Sequence, residues 1–108
     1  DKVNEIYSTV SRISKIIVEV LFFDESDKTS SLQTIKGLLV KNEGDKPVNN
    51  IIENGFKNID TQKYLKNMVY LEKKYPDIAK SISCNIASAS KMVNENINKI
   101  NYQSKLSR

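Results

Sequence analysis

The chain has 108 residues, 39% hydrophobic and 28% charged, which is enough apolar material for one packed core and more than a disordered chain carries. Lys+Arg of 17 against Asp+Glu of 13 leaves a formal charge of +4, and every basic residue except Arg12 and Arg108 is a lysine. Histidine is absent, cysteine occurs once (Cys84), and the longest unbroken apolar run is Val20–Phe23; these facts exclude a Cys/His zinc site, an intrachain disulfide and a membrane-spanning helix.

In chain order, Val3, Ile6, Val10, Ile13, Ile17 and Val20 recur at spacings of three and four, which predicts a long amphipathic helix over residues 2–23. The rival assignment makes the dense run 15–23 a strand, since Ile and Val favour strands. The spacing enters that run from upstream with no Gly or Pro to start a new element, which favours the helix.

A polar connection, "DESDKTS" at 24–30, ends in Ser30, whose spacing from Gln33 has the form of a capping box and predicts a second helix starting there. Leu32, Ile35, Leu38 and Leu39 form its apolar side, and Gly44 is placed to end it. Val48, Ile51, Ile52, Phe56 and Ile59 predict a short third helix behind Pro47, weakened by Gly55. Asp60 or Thr61 caps a fourth helix carrying Tyr64, Leu65, Met68, Val69 and Leu71 as far as Tyr75, and Pro76 ends it. Asp77 opens the last helix, with Ile78, Ile82, Ile86, Ala89, Val93 and Ile100 on its buried line and Ile97 beside it, to about Tyr102. The expected fold is one all-α domain over residues 1–108, a bundle of about five helices with long first and last members.

The missing histidine removes the commonest general base and metal ligand, and no Ser-His or Cys-His pair exists to activate a nucleophile. The chain is therefore read as a non-enzyme without cofactor or metal. Asp24, Ser26 and Asp27 gather oxygen ligands as a calcium loop does. A loop counted from Asp24, however, needs glycine sixth and glutamate twelfth, where the chain has Thr29 and Ile35. Gly37, Gly44 and Gly55 are isolated, so no phosphate-binding glycine loop is present. Cys84, among isoleucines, reads as a small buried hydrophobe.

Two surfaces remain as candidates. Phe22 and Phe23 follow a helix whose buried stripe is already supplied, so they cannot both share that stripe; the favoured expectation is that the helix end turns under the bundle and both rings fill its base, and the alternative is that one is exposed as a partner-binding or self-association patch. On the last helix Ser83, Ala87, Ser90 and Asn94 keep one face small, either for close helix packing or as a shallow groove for another protein's helix. The leading expectation is a protein-interaction module of the effector, inhibitor, immunity or surface-adhesin type, binding another protein or a second copy of itself through a helical face. The alternative is nucleic-acid binding through Lys63, Lys66, Lys73 and Lys74, with Tyr64 and Tyr70 as stacking rings. A third reading puts Phe22 and Phe23 against lipid; the acidic residues directly after them oppose it.

The plentiful Lys, Asn and Ile match an A+T-rich genome. Asp1 reads as a processed terminus or the boundary of an excised piece, with a secreted or surface location favoured over a cytoplasmic one.

Overall fold

The computed structural model describes residues 2–41, 46–47 and 59–96. Among them the chain is all-helical, without a strand: α1 (Lys2–Leu21), a 3₁₀ turn (Glu25–Asp27), α2 (Lys28–Leu38), α3 (Thr61–Lys74) and α4 (Pro76–Glu95). Four α-helices thus appear among the described residues where five were expected. The short helix expected over 48–59 lies, apart from Ile59, outside the described residues.

The α1 stripe folds as its period requires. Ile6, Ile13, Ile17 and Val20 are buried, Ile16 joins them, and Val3 and Val10 are half-buried. The Ile/Val-rich run is helical because Ile13, Ile16, Ile17 and Val20 share one side of a 3.6-residue turn and meet α2, α3 and α4 in a common core. α1 stops at Leu21, two residues early. The Phe22 N–H bonds Val18 O at 3.0 Å, the Phe23 N–H tightens onto Val20 O at 3.2 Å, and the Asn67 amide of α3 donates to Val20 O at 2.8 Å and Leu21 O at 3.3 Å. The last carbonyls of α1 are therefore satisfied by another helix rather than by a glycine cap.

α2 differs from its expected limits at both ends. Asp24 accepts a hydrogen bond from the Ser26 N–H at 2.9 Å, an Asx turn that leads through the 3₁₀ turn into a helix starting at Lys28, so Ser30 lies inside α2 instead of capping it. The helix ends at Leu38, six residues before Gly44, which is outside the described residues. Leu32 and Ile35 supply its core face, with Leu38 and Leu39 packed at the edge.

Asp60 caps α3, accepting the Lys63 N–H at 3.1 Å. Tyr64, Met68 and Leu71 are buried, whereas Leu65 and Val69, expected on the apolar side, face solvent. They sit one residue beyond Tyr64 and Met68, and a step of about 100° carries them off a face only three residues wide. Only Tyr75 separates α3 from α4, and Pro76 is the first residue of α4 rather than a break before Asp77. α4 buries Ile82, Ile86, Ala89 and Val93, with Ile78 at the edge, and ends at Glu95 with Asn96 as its cap, not near Tyr102; Ile97 and Ile100 lie outside the described residues.

Candidate functional site

The two phenylalanines after α1 part company. Phe23 turns inward and its ring meets that of Tyr70 at 5.8 Å between centroids, tilted by 43°. The Tyr70 hydroxyl in turn donates to the Glu25 carboxylate, which pushes its pKa up to about 12 by favouring the protonated phenol. Phe22 points out, 70% exposed, with the Lys63 ammonium 4.7 Å from its ring centroid. At that distance a cation–π contact contributes roughly 0.5–1 kcal/mol at an exposed site, enough to orient the ring and too little to bury it.

Phe22 is not alone on this edge. Tyr7 is 52% exposed and Val18 49%, and with helical spacing Tyr7, Val18 and Phe22 lie within about 60° of one another around α1. Asn4 and Ser11 lie on the same arc, and Lys15 borders it about 20° beyond Phe22. In a chain that is 28% charged, one long helix therefore carries a solvent edge of apolar groups separated by small polar ones.

The small-residue line of α4 is covered unevenly. Ser83 is buried, Ala87 and Ser90 are half-buried and Asn94 is exposed. Ile82 to Ile86 are five consecutive buried residues, including Cys84 and Asn85; more than one full turn is thus enclosed on every side. The first part of the line is consequently packed, and only its Asn94 end reaches solvent.

On α3, Lys63, Lys66, Lys73 and Lys74 are exposed and share an arc of about 100°. The tyrosines that were to stack between them do not: Tyr64 is buried, its phenol pKa pushed above the usual range by desolvation, and Tyr70 packs on Phe23. Among the described residues no cluster of three or more His, Cys, Asp or Glu side chains is placed to hold a metal ion. None of the described helices is long and apolar enough to cross a membrane.

One polar centre escaped the sequence reading. Asn85, fully buried, accepts the Val40 N–H at 3.1 Å and Arg12 Nη1 at 2.7 Å, and donates to Val40 O at 2.9 Å and Ser81 O at 2.7 Å. Arg12 Nη1 also donates to Leu38 O at 2.7 Å, taking up a carbonyl that ends α2. Burial lowers the Arg12 pKa from its ordinary value. The available signal was weak: an asparagine in the middle of an apolar helix line and an arginine in a chain that otherwise uses lysine.

No protein-family model, curated protein or solved structure matches this chain. What it does must therefore be argued from the surfaces just described.

Proposed function

We propose that the chain is a non-enzymatic helical module that binds another protein along the exposed edge of α1, with Phe22 as the anchor. The observation that carries this reading is the 70% exposure of Phe22 in line with Tyr7 and Val18. Burying a side chain of this size against a partner contributes about 1.5–3 kcal/mol, and aromatic anchors are where interface energy concentrates. α1 itself adds only Lys15 beside these groups, and with the Lys63 ammonium over the Phe22 ring a partner covering this edge must also accommodate a cation. Phe23, turned into the core, holds the chain end in place rather than meeting a partner. Ala87, Ser90 and Asn94 form a second, shallower candidate contact; Ser83 is covered.

The test is a photo-reactive residue at position 22 in the full chain, compared with the same probe at exposed Lys36, together with sedimentation velocity. A specific adduct from position 22 that is absent from position 36, or self-association that Phe22→Ser abolishes, supports the proposal. Adducts equal at both positions and a monomer unaffected by the substitution would overturn it.

The second reading, nucleic-acid binding, draws support from the lysine arc of α3. Counterion release predicts retention of mixed DNA and RNA at low salt that falls steeply as salt is added. Replacing Lys66 and Lys73 together by glutamine would weaken such retention, and no retention by the unaltered chain at low salt disposes of this reading.

A further inference from the structure

We propose that Leu38–Val40 is a strap latched by Arg12 and Asn85, and that it opens as a unit while the helical core stays folded. Among the described residues, Leu39 to Lys41 after α2 belong to no regular element. The strap's last helical bond is the Leu39 N–H to Ile35 O at 3.1 Å. Beyond that its main chain is held by side chains: Leu38 O by Arg12 at 2.7 Å, and Val40 N–H and O by Asn85 at 3.1 and 2.9 Å. Asn85 offers the Val40 peptide one acceptor and one donor from a single planar amide, as a neighbouring strand would.

The bonds are also coupled. Arg12 Nη1 bonds Leu38 O and Asn85 Oδ1 together, so displacement of the strap disturbs both latch residues at once and partial opening gains little. The strap contributes modest apolar burial, since Val40 is 44% exposed and Leu38 and Leu39 are half-buried. The Arg12 guanidinium, half-buried on neutral acceptors, makes no ion pair among the described residues; opening returns it to water, which offsets part of the lost bonding. By contrast Ile13, Ile16, Ile82 and Ile86, next along the same helices, are essentially inaccessible and packed on α1, α3 and α4. The latch is thus weaker than the core to which its two residues are fixed. Closed, it sets the direction in which the chain leaves α2; open, it presents a guanidinium and an amide able to bind main chain.

Native-state hydrogen exchange on the full chain, followed by NMR across sub-denaturing urea, tests this directly. The Val40 amide should be protected, yet exchange at least about tenfold faster than those of Ile17 and Ile86 and with a smaller urea dependence. Arg12→Met, which removes both Nη1 bonds, should speed Val40 exchange by about tenfold, and Asn85→Ala, which removes both bonds to the Val40 main chain, should speed it by more; in each Ile17 should remain the slower amide. Three results would overturn the proposal: no protection at Val40, Val40 exchange matching the core in rate and urea slope, or Val40 protection unchanged in Arg12→Met. The first two are read on the unaltered chain and stand even if Asn85→Ala does not fold.

Discussion

Replacing Asn67 by aspartate removes an amide that donates to two carbonyls at the end of α1 and puts a negative charge in its place. The bond to Val20 O at 2.8 Å contributes about 1 kcal/mol, and the longer one to Leu21 O at 3.3 Å rather less. An anion beside a helix C-terminus adds an unfavourable 0.3–1 kcal/mol or roughly that, because the macrodipole is negative there. Asn67→Ala should therefore cost about 1 kcal/mol and Asn67→Asp about 2 kcal/mol at neutral pH, a large share of the stability of a domain this size. The new carboxyl prefers its protonated form in the folded state, where that form can donate to Val20 O. Its folded pKa then lies above the unfolded value of about 3.9, and the extra cost is absent below that value and grows as pH rises through the folded pKa. Urea unfolding followed by far-ultraviolet circular dichroism, on both variants at neutral and acid pH, measures the difference. If Asn67→Asp is no less stable than Asn67→Ala at neutral pH, or if the gap between them persists in acid, the account of how α1 ends is wrong.

Asp60→Ala should lose about 1 kcal/mol through the α3 cap, while Asp60→Asn, which keeps the accepting oxygen, should lose much less; equal losses in urea unfolding would show that the cap is not the cause. Phe22→Ser should lower the unfolding free energy by no more than about 1 kcal/mol, the contribution of the Lys63 contact, since the ring is otherwise largely in water; a much larger drop in urea midpoint would place Phe22 in the core. For Tyr64 and Tyr70 the folded pKa lies above the ordinary 10.0, so the folded state holds more protons and stability falls as pH rises past that value. Spectrophotometric titration should show Tyr70 ionising near pH 12 and Tyr64 ionising only with the loss of helical signal; ionisation of Tyr64 and Tyr70 near 10 in a still-helical chain would contradict the contacts described.

The features that sequence spacing anticipated are those set by local period. Ile6, Ile13, Ile17 and Val20 on α1, Ile82, Ile86, Ala89 and Val93 on α4, and the Asp60 cap all follow from repeats or neighbours within a few residues. The limits of α2 were misjudged because neither is fixed by its own residues. Its start depends on the Asp24 turn, and its end on Arg12 and Asn85, which are 26 and 45 positions away from the groups they bind. Leu65 and Val69 illustrate a different failure: hydrophobic identity suggested burial, but angular position around α3 decided exposure. Of the candidate contacts, the stripe already full left two outcomes, both rings under the bundle or one turned outward, and the favoured one fails at Phe22, which is exposed. Which of the two turns was decided by Tyr70, far along the chain, and could not be read locally.

The junction of α3 and α4 is a matter of gearing. The Tyr75 N–H closes the last turn of α3 on Leu71 O at 2.7 Å, while the Tyr75 carbonyl opens the first turn of α4 by accepting the Ala79 N–H at 3.0 Å. One residue is thus shared by both screws, with no slack between them. Adding a single residue there would rotate the whole of α4 by about 100° and swing Ile82 and Ile86 away from the helices they mesh with, however well the inserted side chain suited its surroundings. At this point in the chain, length is under tighter control than chemistry.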